Sequence, residues 1–142
     1  MWLLYAILSA LFAALVSIFG KIGLDKIDPT FATAVRAVIM AGFFLVATAY
    51  IGKLNPEFFR TLDTRSLSYI ALSGLAGALS WLFFFNALAM ASPVAVNAID
   101  RLSIVFILVF GALFLGESLS LVRVLAVSLI ALGAILIAVY KG

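Results

Sequence analysis

Five apolar runs, each long enough to cross a lipid bilayer, leave this chain very few ways to fold. They fall at about residues 2–20, 29–51, 67–91, 93–115 and 119–140, against the ~20 residues a helix needs to span the hydrocarbon core. In lipid every backbone amide and carbonyl must find its partner within the protein, so such runs form helices. They occupy most of the 142 residues and leave no length for a separate soluble domain. The reading is an all-α polytopic membrane protein: a bundle of five transmembrane helices, one domain over residues 1–142. Composition agrees. At 67% hydrophobic and 11% charged residues, against ~45–50% and ~25% in soluble domains, a water-soluble globule of this size would expose apolar surface it cannot bury.

Local signals place the ends of the runs. The first carries no Lys or Arg before Lys21, so it reads as a retained helix rather than a cleaved leader. Asp28-Pro29 opens the second and Ser92-Pro93 the fourth. In both, a capping side chain precedes a proline placed where no amide donor is needed. Asn55-Pro56-Glu57 predicts a short interfacial helix carrying Phe58 and Phe59, and Gly116-Glu117-Ser118 ends the fourth run. The third run is rich in small residues four apart, Ser73/Gly77, Gly74/Ala78 and Ala76/Ser80, a spacing that predicts close approach of another helix. Trp2, Tyr5, Tyr50, Tyr69 and Tyr140 all fall near run ends, where amphipathic rings settle at headgroup level.

Several function classes fall away. The chain has no Cys and no His, which removes thiol chemistry, the commonest general base and the commonest metal ligand. No metal, no cofactor and no enzymatic activity is expected. A net charge of +3 spread along the chain gives no footprint for nucleic acid. The charges also bear on orientation. Lys53, Arg60, Arg65 and Arg123 fall on the N-terminal face, and Lys21, Lys26 and Lys141 on the other, with Arg36 and Arg101 embedded nearer that second face. Positive charge sets orientation, and the near-even count leaves two readings open: a cytoplasmic N-terminal face, or insertion both ways with antiparallel pairing.

Polar groups inside the spans carry the functional signal, because a charged side chain at a helix centre costs roughly 2.5–3.5 kcal/mol on insertion scales. Arg36 lies seven residues past Pro29 and Asp100 seven past Pro93, each ~10 Å from the same face at ~1.5 Å per residue. Asn86 falls at a similar level in the third span, and Asn97, Asp100 and Arg101 share a face of the fourth. The expectation is a wet pocket lined by the second, third and fourth spans. Its substrate-binding candidates are Arg36, Asn86, Asn97, Asp100, Arg101 and the mid-span Trp81. Asp100 is the proton-coupling candidate, since desolvation and neighbouring arginines push a carboxyl's proton affinity in opposite directions.

The run Leu88-Ala89-Met90-Ala91-Ser92-Pro93-Val94-Ala95-Val96, then Val105-Phe106, then Ala112-Leu113-Phe114-Leu115-Gly116-Glu117, resembles the second half of an EamA-type repeat of the drug/metabolite transporter superfamily. Lys21-Ile22-Gly23-Leu24 and Pro29 to Arg36 resemble its first half. Most members carry two such repeats of opposite topology. This chain is similar to the single-repeat, five-span members. The resemblance implies a metabolite or drug exporter driven by the proton gradient, with a homodimer supplying the second repeat and the inner membrane of a prokaryote as its location. Ser103 stands where many repeats have proline, and the first span lacks the acidic residue of the small multidrug resistance relatives. The alternative is a non-transporting membrane subunit that stabilises or localises a partner complex.

Overall fold

The computed structural model describes residues 1–55 and 63–140. Its helices are α1 (Trp2–Gly23), α2 (Pro29–Tyr50), α3 (Thr64–Met90), α4 (Pro93–Asp100), α5 (Ser103–Leu115) and α6 (Leu121–Val139). Since α4 and α5 together make one span, Pro93–Leu115, five segments are long and apolar enough to cross a membrane. The described residues contain no strand. The interfacial helix expected at Asn55-Pro56-Glu57, with Phe58 and Phe59, falls largely outside the described residues.

The capping chemistry explains where the helices start. Asp28 Oδ1 accepts the Phe31 amide at 2.9 Å and Ser92 Oγ accepts that of Ala95 at 3.2 Å, each followed by its proline. Helix α3 begins at Thr64, ahead of the expected Leu67, because Asp63 caps it. One Asp63 oxygen accepts the Ser66 amide and the other accepts the Ser66 hydroxyl. Those bonds, the amide first, hold the Asp63 carboxyl below its ordinary range. Helix α6 starts at Leu121 rather than 119 because Ser120 Oγ caps the Arg123 amide at 3.3 Å.

Glycine governs two ends. Gly52, at φ 75°, donates to the Ala49 carbonyl while Lys53 donates to Thr48, both at 3.0 Å, which satisfies the last carbonyls of α2. Gly116, at φ 67°, turns the chain out of α5, and the Glu117 amide reaches back to the Gly111 carbonyl at 3.1 Å. The Glu117 carboxylate folds over Gly111 and pairs with Arg123 at 3.6 Å. Arg123 also donates to the Ser118 carbonyl at 3.3 Å. This pair is exposed and so weak by itself, but it fixes the turn that joins α5 to α6.

The fourth span differs from the continuous helix expected over 93–115. At Arg101 and Leu102 the backbone tightens. Arg101 N–H is shared between the Asn97 and Ala98 carbonyls, and Leu102, Ile104 and Val105 donate to residues three back, Ile99, Arg101 and Leu102. The pattern is a turn of 3₁₀ geometry set inside a membrane span.

The chain forms two compact units, Met1–Lys21 with Met90–Gly142, and Ile22–Ala89. In the first, α6 packs against both halves of the fourth span, and Ser17, Val96, Gly111 and Ala134 are buried. In the second, Phe85 and Leu88 are buried. Most large apolar side chains stay exposed, Leu113, Phe114 and Leu115 among them at 72–79%, as lipid-facing surface requires.

Gly116→Ala should lower stability by about 1–2 kcal/mol, since alanine must then adopt the left-handed conformation. Gly133→Ala in α6, where an added methyl meets nothing within 4 Å, should raise stability by about 0.5–1 kcal/mol. Thermal unfolding of the detergent-solubilised chain measures both; equal shifts would show that Gly116 is not held by its φ.

Candidate functional site

Helix α2 places Arg36 two turns inside the span that Pro29 opens, and α3 places Trp81 nine residues before its end at Met90. The Arg36 guanidinium carbon lies 3.7 Å from the Trp81 ring centroid and 5.4 Å from that of Phe85. Phe85 is four residues nearer the end of α3, so the guanidinium sits by the deeper ring. It does not snorkel toward the headgroups, although its stem is long enough to do so. Trp81 is itself fixed by Phe84 and Phe85, with centroids 5.4 and 6.0 Å away. Among the described residues Arg36 makes no hydrogen bond and no ion pair; its partners are rings.

Beside this stack, a groove of about 620 Å³ runs between α2 and α3, within the ~300–1,000 Å³ typical of small-molecule sites. Thr30, Thr33, Ala37 and Met40 line one wall; Gly74, Gly77, Ala78 and Trp81 line the other. Within this unit no atom outside the local backbone lies within 4 Å of a methyl built on Gly74 or Gly77, and those two positions open volume. Thr33 is spoken for, its hydroxyl donating to the Pro29 carbonyl at 2.7 Å.

The other unit gathers a second polar group. Ser17 of α1 donates to the Asn97 carboxamide oxygen at 3.2 Å and to its own helix's Ala13 carbonyl at 3.0 Å, sharing one proton between them. Asn97 spends its amide on the Pro93 carbonyl at 2.7 Å. Lys21 Nζ reaches the Ala91 carbonyl at 3.0 Å. A smaller depression of about 250 Å³ lies here, lined by Ala10, Ala14, Ser17, Pro93, Asn97 and Arg101 among others.

The expected site residues therefore divide. Arg36 and Trp81 meet in one unit; Asn97 and Arg101 share a depression in the other. Asn86 turns its amide onto the Leu82 carbonyl of its own helix at 2.7 Å. Asp100 is exposed at the end of α4, off the line of Pro93, Asn97 and Arg101, and has no ion pair or hydrogen bond among the described residues. Ser17 went unnoticed in the sequence, although Ala10, Ala14, Ser17 and Lys21 recur at three- and four-residue spacing along one face of α1.

Ser17→Ala should cost about 0.6 kcal/mol in thermal unfolding, the usual worth of such a contact between membrane helices. No change would mean that the hydroxyl proton stays on the Ala13 carbonyl.

The sequence profile of the EamA-like transporter family matches residues 1–139. A protein of Sinorhizobium sp. named "Uncharacterized transporter in cobO 3'region" is 41% identical over 139 residues, covering 98% of this chain and 97% of the relative. No solved structure matches the chain.

Proposed function

Since the chain belongs to the EamA-like transporter family, we propose that it is one protomer of an alternating-access exporter, completed by a second copy inserted in the opposite orientation. Five apolar helices and the family make it a multi-pass membrane transporter; export, coupling and pairing are the parts proposed, as is placement in the inner membrane of a prokaryote. The observation that carries the proposal is the α2/α3 groove, where a membrane-embedded guanidinium is held against Trp81 without a counter-ion. An intramembrane charge of this kind marks a solute path more often than a packing device.

In this reading the solute enters the groove beside Arg36 and Trp81, and Asn86 supplies a carboxamide oxygen not used by its own helix. On the fourth span, Asp100 carries the coupling proton, while Asn97 and Arg101 hold the polar line next to it. The 3₁₀ turn at Arg101–Leu102 supports the same reading, because interrupted helices recur at the substrate and ion sites of membrane transporters. Near-even charge on the two faces supports antiparallel pairing. The role is transport rather than catalysis.

Proteoliposomes loaded with a solute panel under an imposed pH gradient test the mechanism. Asp100→Asn should reduce gradient-driven accumulation to background while the protein remains inserted; wild-type rates would remove Asp100 from coupling. Orientation is tested separately, by C-terminal fusions to two reporters, each active on one side of the membrane only. Both should be active, and signal from one alone would eliminate dual insertion.

A further inference from the structure

We infer that the α2/α3 groove is selective for organic anions with a flat apolar body and no ammonium group; the inference rests on the transport reading above and names the chemical class of its solute. Arg36 is the ionisable residue of the groove wall, with no Asp or Glu beside it. A carboxylate arriving there meets a cation, whereas an ammonium meets repulsion and no acceptor charge. Zwitterions are caught between the two, gaining at one end and losing at the other.

Geometry sharpens this. The Arg36 guanidinium carbon lies over the Trp81 ring, 3.7 Å from its centroid, and its N–H groups make no hydrogen bond among the described residues. A guanidinium whose N–H groups are unspent is the donor that can grip a carboxylate through two parallel bonds. Trp81 also keeps the guanidinium from folding away, so the donor is oriented before the ligand arrives.

The rest of the groove sets the body of the ligand. Apart from Thr30 and Thr33, its lining is apolar: alanine, glycine, leucine, Met40 and the indole of Trp81. Thr33 already donates to the Pro29 carbonyl. A sugar or polyhydroxylated solute would lose hydration along these walls without regaining hydrogen bonds. An aromatic or branched aliphatic body loses nothing, and the open strip at Gly74 and Gly77 accepts a flat one.

Trp81 also supplies the test, because Trp2 is the other tryptophan of the two in the chain. In purified full-length Trp2→Phe protein, Trp81 emission reports the groove alone. Three matched probes are titrated: phenylpropionate, phenylalanine, which adds an ammonium to it, and phenylpropylamine, which replaces the acid. Phenylpropionate should change the emission saturably, with the other two weaker by about tenfold or more, the scale of one charge-assisted contact. Arg36→Gln should abolish that preference, and Arg36→Lys should keep it in weakened form. Equal binding of acid and amine in the parent protein, or an undiminished preference in Arg36→Gln, overturns the inference. Flux in proteoliposomes separates the two claims. Preferential acid binding without acid flux upholds the ligand class and counts against transport through this groove. Flux of cations or zwitterions without preferential acid binding does the reverse.

Discussion

A guanidinium inside hydrocarbon has to be stabilised where it lies or carried out to the headgroups, and the arrangement of α2 and α3 follows from how this chain answers that demand. Arg36 is stacked on Trp81 at 3.7 Å. A desolvated cation–π contact of this kind contributes about 2 kcal/mol, against roughly 2.5–3.5 kcal/mol for placing arginine at the centre of a span. The two are close enough for the residue to be tolerated and unequal enough for it to remain short of a partner. A packing role would have closed that gap with a carboxylate. Here the charge stands beside a groove whose lining holds no carboxylate, and the gap stays open among the described residues.

The two compact units show opposite uses of polar atoms. In one, Ser17, Asn97 and the Pro93 carbonyl satisfy one another across α1 and α4, and Lys21 secures the Ala91 carbonyl just ahead of Pro93. That is a structural answer: each of these groups has a partner on the protein. In the other, Arg36 has aromatic faces and no acceptor. The polar residues of similar depth thus differ: Asn86 and Asn97 are bonded to protein carbonyls, while the side chains of Arg36, Asp100 and Arg101 make no hydrogen bond or ion pair among the described residues.

How far this was legible from the sequence depends on the residue. The spans were plain because hydropathy and the caps at Asp28 and Ser92 both act within a few residues of where they are read. Arg36 and Trp81 were each visible as anomalies, an embedded charge and a mid-span indole, but their stacking joins residues 45 positions apart in sequence and no local pattern encodes it. The glycines of α3 are ambiguous for a physical reason. A missing side chain permits close helix approach and also leaves open volume, and spacing is the same in both cases. Only the neighbour, or its absence within 4 Å of Gly74 and Gly77, distinguishes them. Asp100 drew attention by its depth, yet the register that puts Pro93, Asn97 and Arg101 on one line leaves it on another.

The turn at Arg101–Leu102 brings these threads to the fourth span. Backbone groups exposed to lipid cost several kcal/mol each, so a break in a membrane helix is held by the bonds its amides still make. Here Leu102, Ile104 and Val105 each reach a carbonyl three residues back, Arg101 divides its amide between two, and the Ser103 amide has no partner among the described residues. The span is therefore locally weaker than the α-helix on either side, because 3₁₀ geometry is poorer. The neighbours of that turn are Asp100 and Arg101, while α5 ends at the Gly116 turn, where Glu117 pairs with Arg123. The weakly bonded stretch of the span thus lies beside its charged residues, and regular α-helix lies on either side of it.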